Sequence, residues 1–195
     1  MNPLSEKFQG IKIILGSGSP RREQLFKELG IAYTVMVKDE PEEFPAQFRR
    51  EDIAMFLARK KALAFKPEVV EGGIVITADT IVAVDELILN KPVDKKDAER
   101  MLRLLSARRH QVITGVCIMS ARKSESFFVK TDVSFKQLRD NEIEYYIETY
   151  KPMDKAGAYG IQEWIGMVGI DYIQGSYYNV MGLPIKELYE NLLRF

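Results

Sequence analysis

The sequence predicts an α/β fold in which a mixed, twisted sheet is covered by helices. In the first half, short apolar runs typical of buried strands alternate with segments that place apolar residues on one helical face. In the second half, two long β-rich runs, 112–119 and 126–135, flank the polar stretch 120–125, a pattern typical of an antiparallel hairpin. Alternation favours parallel strands and a hairpin favours antiparallel ones, so the sheet should contain both.

Length and charge narrow the class of protein. The 195 residues, with 46% hydrophobic and 29% charged side chains, are enough for a core and show no repeat, low-complexity segment or linker, which predicts one domain over residues 1–195. The 28 Lys and Arg balance the 28 Asp and Glu, so the basic excess of a duplex-binding domain is missing. We therefore expect no nucleic-acid partner, whereas a small anion would need only a local cluster of cations.

The lone cysteine indicates a reducing compartment. Cys117 has no second cysteine for a disulfide, and its neighbours Val116 and Ile118 predict that it is buried in a strand. The first ten residues lack the apolar stretch of a signal peptide, and no apolar run approaches the ~20 residues of a membrane span. We expect a cytoplasmic protein with no membrane contact.

The remaining elements follow from apolar spacing and from helix-capping residues. Ser19 and Pro20 predict the start of the first helix and Gly30 its end, and Asp94 predicts the cap of a later helix. A helix around Ile53 should end before Pro67. The other predictions are strands at 11–15, 33–37, 74–76, 81–84 and 87–89, an acidic loop at 38–50, a helix at 140–149, a glycine-rich region with short strands at 156–175, and a last helix opened by Pro184.

The segment from Gly16 to Arg22 could bind phosphate. It lies between a strand and a helix, where glycines allow close backbone approach, a helix N-terminus offers N–H donors, and Arg21 and Arg22 add forked cationic donors. It lacks the Gly-Lys-Ser/Thr ending of a Walker loop. From this segment alone, a tight turn with two solvated arginines explains the pattern equally well.

A second candidate is Asp79-Thr80, placed at the C-terminal end of an apolar strand. Ligands bind beyond such strand ends in open α/β sheets, where a carboxylate can hold a divalent metal or orient water. Taken alone, it is more simply a turn aspartate. The same applies to three lysines that could also bind a ligand: Lys61, Lys91 and Lys155. Taken alone, each is more simply a solvated surface charge, as most lysines are.

The single histidine excludes several site classes. With only His110 available, neither a protease-like triad nor a site with two histidine ligands fits, and we expect His110 to begin a strand. Trp164 is expected to pack within the fold or to line a cleft.

Six segments in order along the chain resemble the Maf family. They are Leu15 to Arg22, Ala78 to Val82, Asn90-Lys91-Pro92, His110 to Val116, Asp154 to Gln162, and Gly182-Leu183-Pro184. The resemblance implies a two-lobed α/β fold with a deep cleft, similar to inosine triphosphatases. It implies hydrolysis of nucleoside triphosphates to monophosphate and pyrophosphate with Mg²⁺ or Mn²⁺, an association with septum formation and cell-division arrest, and a homodimer.

The resemblance also assigns roles by motif. Asp79 matches the proposed proton acceptor, and Lys61 and Glu42 match a helix lysine and a loop glutamate. Glu40 and Glu43 are alternatives to Glu42, which with Asp79 would hold the metal. Ser17, Arg21, Lys91 and Lys155 match substrate-binding positions, and Arg22, Thr80 and Gln162 match positions that separate subgroups and here are similar to the branch acting on dTTP and UTP.

Two departures from the family pattern leave the substrate open. Ala107 replaces a glycine commonly found after Leu-Ser, and Glu163 replaces a glycine commonly found after the glutamine. An acidic side chain beside Gln162 could change base preference. A nucleotide-binding regulator that hardly hydrolyses, or the same chemistry on a modified or purine base, are the alternative functions.

Overall fold

The computed structural model describes residues 2–195, which form nine helices and one seven-stranded sheet. The helices are α1 (Pro3–Lys7), α2 (Pro20–Lys27), α3 (Arg50–Leu63), α4 (Lys66–Val70), α5 (Lys95–Leu105), α6 (Asp140–Tyr150), α7 (Trp164–Gly169), α8 (Tyr177–Met181) and α9 (Ile185–Arg194), with a 3₁₀ turn at Ala156–Ala158. The strands are β1 (Ile13–Leu15), β2 (Thr34–Val35), β3 (Ile74–Val84), β4 (Leu87–Leu89), β5 (Arg109–Met119), β6 (Ser124–Phe135) and β7 (Ile170–Gln174).

The sheet is mixed, as predicted. Its order is β2-β1-β3-β5-β6-β7, with β4 paired to β3. β1 is parallel to β2 and to β3, whereas β4 is antiparallel to β3 and β7 is antiparallel to β6. Among residues 2–195, no helix combines the length and apolar character needed to cross a membrane.

The chain divides into two compact units, in agreement with the two lobes that the family resemblance implies. The first unit comprises Met1–Asp79, Thr114–Val129 and Gly182–Phe195. The second comprises Thr80–Ile113 and Lys130–Met181.

The first unit has a core between the sheet and α3. Its buried members come from β1, β3, β5, α3 and the segment that follows α3: Ile14, Ala58, Ala62, Phe65, Val69, Val75, Cys117 and Met119. Cys117 is 1% exposed, so the prediction that it is a buried apolar residue is confirmed. Small alanines on α3 let the helix lie close to the strands.

The second unit is built around α5 and α6, which pack against each other. Helix α5 buries Ala98, Met101, Leu102 and Leu105 on one face, and the Asp94 side chain accepts a hydrogen bond from the Asp97 N–H, so both the predicted face and the predicted cap are confirmed. Such a cap stabilises a helix by about 1 kcal/mol. Helix α6 buries Ile143, Tyr146 and Ile147.

Two local predictions were wrong. Asp79 and Thr80 do not end a strand but lie inside β3, because the apolar run continues and pairs with β4 through Val82 and Leu89. The glycine-rich region contains the helix α7 as well as a strand. Two others are confirmed: α2 has Ser19 at its N-cap position and Pro20 as its first residue, although the Ser19 side chain makes no capping bond, and α3 ends at Leu63, before Pro67.

Gly115 in β5 sets how closely α3 approaches the sheet. A Cβ atom at this position would lie 2.3 Å from the backbone carbon and oxygen of Ala54, well inside any real contact. Ala54 is itself fully buried. Only glycine allows this helix to lie directly on the strand, and α3 is the helix that carries Lys61.

We predict that Gly115→Ala destabilises the protein by about 1–3 kcal/mol, the usual cost of overpacking a close-packed core. Urea denaturation of both proteins measures the difference. Gly18→Ala is the matched control, because its Cβ would meet nothing closer than the Val37 side chain at 3.4 Å. Equal stability of the Gly115→Ala and Gly18→Ala proteins would contradict the packing argument.

Candidate active site

The loop Gly16–Ser19, the glycine loop, connects β1 to α2. The Gly16 N–H donates to the Ile76 carbonyl at 2.8 Å, and the Ser19 N–H donates to the Ser17 hydroxyl at 3.2 Å. A Cβ at Gly16 would lie 2.8 Å from the Thr77 Cγ2 atom and 2.9 Å from the Phe65 ring, so a side chain does not fit. Ser17 is 8% exposed. The loop therefore holds one tight conformation before the N-terminus of α2, a place that favours anions.

The two predicted arginines occupy the first turn of α2. Arg22 donates from Nε to the Gly182 carbonyl at 2.8 Å, which brings the segment Gly182-Leu183-Pro184 to this helix. Burial lowers the pKa of Arg22 below its usual value. The Asp79 carboxylate opposes that shift, Arg21 adds to it, and Glu42 opposes it. Arg22 therefore lies within electrostatic range of both predicted catalytic carboxylates.

The centre of this unit's site is the Lys61 ammonium, which lies between two carboxylates. It donates to Glu42 at 3.0 Å and forms a close ion pair with Asp79. Asp79 is 5% exposed. A buried carboxylate without a cationic partner would be strongly destabilising, so Lys61 is the partner that offsets the burial of Asp79.

A second contact brings Lys61 and Asp79 into register. The Thr77 hydroxyl donates to the Ala58 carbonyl at 2.7 Å, and both residues are fully buried. Thr77 and Asp79 point to the same face of β3, since side chains two apart on a strand do so. Ala58 and Lys61 are one helical turn apart on α3. The hydrogen bond and the ion pair are therefore successive contacts between the same helix and strand.

The acidic loop holds three glutamates that were candidates for the predicted loop glutamate: Glu40, Glu42 and Glu43. Glu42 is the one whose carboxylate contacts Lys61. Six of the predicted residues thus lie in the first unit, and ion pairs or electrostatic interactions connect five of them: Arg21, Arg22, Glu42, Lys61 and Asp79, with Ser17 as the sixth.

Glu42 and Asp79 suit a hard divalent cation. Within residues 2–195, no set of three or more His, Cys, Asp or Glu side chains is arranged to hold a metal ion. The Glu42 and Asp79 carboxylates nevertheless lie close together, since both contact the Lys61 ammonium. Mg²⁺ is often bound by one or two protein carboxylates, while phosphate oxygens and water supply its other ligands. The donor set therefore fits a Mg²⁺ or Mn²⁺ ion brought in with a phosphate ligand.

The other predicted residues belong to the second unit. Thr80 lies in β3, Lys91 is exposed after β4, and Lys155 and Gln162 lie on the segment between α6 and α7. The Gly157 N–H donates to the Asn90 carbonyl at 3.1 Å, so this segment lies beside Asn90-Lys91. Lys155 is 7% exposed, and the Oε1 atom of Gln162 is buried without a hydrogen-bond partner in the described chain.

His110 has a structural place in the second unit. It lies in β5, as predicted, with its Nε2 atom 2.8 Å from the Tyr159 hydroxyl. Burial lowers the pKa of His110 from 6.5 to about 4, so the ring is neutral at physiological pH. Trp164 begins α7 and packs against Tyr145 with the ring centroids 4.9 Å apart.

Sequence reasoning missed three residues that support the site. Thr77 was passed over, although its place two residues before Asp79 on an apolar strand is a detectable signal. Tyr146 was predicted only as a buried helix residue, and Glu163 only as a departure from the family pattern. Tyr146 contacts Gly160 and Glu163, which lie on either side of Gln162 in the sequence.

A family model described as Maf-like protein matches residues 12–195. The dTTP/UTP pyrophosphatase of Phocaeicola vulgatus is 48% identical over 188 residues, which cover 96% of this chain and 97% of that protein. The dTTP/UTP pyrophosphatase of Bacteroides fragilis is 50% identical over 182 residues, which cover 93% and 94% of the two chains. The Ham1 protein of Staphylococcus aureus has a TM-score of 0.41 at 13% identity, covering 64% of this chain and 71% of that one, a likeness too slight to bear on the fold. Because the family model spans almost the whole chain and these relatives are about half identical over nearly their full length, the chain belongs to the Maf family.

Proposed function

We propose that this protein hydrolyses nucleoside triphosphates, with dTTP and UTP as its best substrates, to the nucleoside monophosphate and pyrophosphate. The two relatives named dTTP/UTP pyrophosphatase support this reaction and this choice of base. The observation that carries it is the Lys61 ammonium held between Glu42 and Asp79 in the unit that also holds the glycine loop. That arrangement puts carboxylates and cations together where a triphosphate needs both.

The cations bind the triphosphate. The N-terminus of α2 faces one group of phosphate oxygens, with Ser17 and Arg21 beside it. Lys61 adds positive charge at the oxygens on which negative charge grows as the bond breaks, and Lys91 stays a predicted substrate-binding residue of the second unit. Glu42 and Asp79 would hold a Mg²⁺ or Mn²⁺ ion, which when bound neutralises further charge on those oxygens.

The reaction is a displacement at the α-phosphorus. The oxygen of a water molecule forms a bond to the α-phosphorus as the bond from that phosphorus to the α–β bridging oxygen breaks, and pyrophosphate leaves with the bonding electrons. Asp79 accepts the proton that the water loses. Lys61, hydrogen-bonded to the same carboxylate, holds it in one orientation.

The cellular location proposed for this protein is the cytoplasm. The lone Cys117 and a nucleotide substrate both fit the cytoplasm. A homodimer, a role in cell division and the absence of nucleic-acid binding stay predictions from the sequence.

Asp79→Asn should lower kcat by about 10²–10⁴-fold, the usual contribution of a general base, while triphosphate binding changes little. The substitution keeps the size of the side chain and removes the charge that accepts the proton. Pyrophosphate release measures kcat, and equilibrium binding of a non-hydrolysable UTP analogue measures affinity. Asp132→Asn is the matched control, because Asp132 is also a strand aspartate in an ion pair, with Arg109 in place of a lysine. Turnover near the wild-type rate in Asp79→Asn would refute the assigned role.

Hydrolysis in ¹⁸O-labelled water should place the label in the monophosphate. Attack at the α-phosphorus puts the water oxygen there, whereas attack at the β-phosphorus would label pyrophosphate. Mass spectrometry of the separated products measures this. UDP or dTDP as the main product would overturn the proposed bond cleavage, and labelled pyrophosphate would overturn the point of attack.

Gln162→Ala should narrow the preference for UTP and dTTP over CTP and GTP, mainly by slowing the preferred substrates. The buried Oε1 atom has no partner in the described chain, and an unsatisfied buried acceptor costs about 1–3 kcal/mol. The N–H of uracil or thymine would satisfy it while the amide NH₂ donates to a base carbonyl. Gln162→Glu should be slower still on UTP, because a carboxylate cannot donate.

The measurement is kcat/KM for UTP, dTTP, CTP and GTP on the wild type and the two variants, with the exposed Gln137→Ala as control. If Gln162 only braces its loop, all four values should fall by one common factor. Unchanged ratios would therefore rule out base reading.

A further inference from the structure

Glu163 directly follows Gln162 and directly precedes helix α7, but its side chain does not cap that helix. It stands at the N-cap position of α7 but makes no side-chain capping bond. Instead its carboxylate accepts a short hydrogen bond from the Tyr146 hydroxyl and forms an ion pair with Lys155 at 3.1 Å. We call these three residues, Tyr146, Lys155 and Glu163, the clamp.

The clamp is buried and balanced in charge. The side chains of Lys155 and Glu163 are 8% and 18% exposed, and Tyr146 is fully buried. Burial, followed by the Glu163 hydrogen bond, raises the pKa of Tyr146, so its hydroxyl remains a donor. Lys155 also contacts Asp154 at 2.7 Å. Lys155 is thus engaged by two carboxylates of its own unit, which suits a residue that positions others.

The clamp also holds the backbone on both sides of Gln162. The Gly160 N–H donates to the Tyr146 hydroxyl at 3.0 Å, and the Glu163 N–H closes a turn onto the Gly160 carbonyl at 3.0 Å. A Cβ at Gly160 would lie 2.8 Å from the Glu163 Cδ atom and 3.1 Å from the Lys155 Cε atom, so the turn lies directly against the clamp. Gln162 is one of the two residues inside this turn.

The next turn of chain is equally restricted. Ile161 is 4% exposed, and a Cβ at Gly166 in α7 would lie 1.9 Å from the Ile161 carbonyl oxygen. The backbone that carries Gln162 therefore has a packed residue before it and the clamp after it. The freedom that remains to Gln162 is mainly that of its own side chain.

We propose that Glu163, with Tyr146 and Lys155, is a positioning residue that sets the base selectivity of the enzyme by fixing Gln162. This rests on the base-reading role of Gln162 proposed above. A carboxylate at this position reaches both the tyrosine and the lysine, and their contacts tie the turn to α6. Glu163 acts through Gln162 and need not touch the substrate.

Two variants test the clamp without changing Gln162. Glu163→Gln keeps the size and an acceptor for Tyr146 but loses the ion pair, and Tyr146→Phe removes the hydroxyl that joins Gly160 to Glu163. Each should lower the kcat/KM ratio of UTP to CTP and of UTP to GTP by about tenfold, since misplacing a contact group by ~1 Å can cost up to ~10²-fold. The fall should come from slower UTP hydrolysis.

Matched controls lie on the same helix. Glu148→Gln replaces an exposed, ion-paired glutamate of α6, and Tyr145→Phe replaces a half-exposed tyrosine beside Tyr146. Both should keep the wild-type ratios. In the Gln162→Ala background, Glu163→Gln should lower the ratios no further, because the residue that it positions is gone.

Amide hydrogen exchange gives a readout that does not depend on activity. Exchange at Gly160 should accelerate in Tyr146→Phe and Glu163→Gln but not in the controls. Unchanged exchange, or faster exchange with unchanged nucleotide ratios, would overturn the clamp as a selectivity device. Equal effects of Glu163→Gln with and without Gln162 would overturn it as well. A wild type that releases no pyrophosphate from any nucleotide would instead refute the proposed function, and the exchange result would then decide whether the clamp holds the turn.

Discussion

The candidate site depends on one buried junction between helix α3 and strand β3. The Thr77–Ala58 hydrogen bond and the Lys61–Asp79 ion pair follow each other along the two elements, and Gly115 allows the helix to approach closely enough for both. Each contact is costly if its partner is lost, because a buried hydroxyl or charge cannot turn to water. The same burial that makes the junction expensive to break keeps Asp79 in one orientation.

The glycine loop also depends on this junction, because Gly16 packs against Thr77 and bonds to its neighbour Ile76. The Gly16 N–H bonds to Ile76, and the missing side chain at Gly16 leaves room for Thr77 and Phe65. The residue that anchors α3 therefore also shapes the loop at the start of α2. The glycine loop and the Asp79 carboxylate are therefore tied to the same stretch of β3, the loop through its hydrogen bond to Ile76 and Asp79 as a member of the strand.

Much of this arrangement could be predicted from the sequence, and the failures share a physical cause. Long periodic segments such as α5 and the β5–β6 hairpin were predicted because burial of one face dominates their energetics. Helices α4, α7 and α8 have five or six residues and too few turns to show a period, so tertiary packing decides them. Asp79 was predicted at a strand end, whereas β3 continues past it. The ion pair that stabilises a buried carboxylate in mid-strand is with Lys61 on another element, which the local sequence does not show.

A sequence motif does not show which side chains a residue contacts in the fold, and Glu163 is an example. A motif records which residue types follow one another, and by that measure the acidic residue after Gln162 was only a departure from the family pattern. Its two partners come from α6 and from the segment before the 3₁₀ turn, so no local pattern joins them. A carboxylate inserted without such partners would pay the full cost of burial. The presence of both partners, and of a glycine at 160 that leaves room for the side chain, indicates that the acid is built into the fold. In the role proposed for it, its effect reaches the substrate through the backbone of its neighbour.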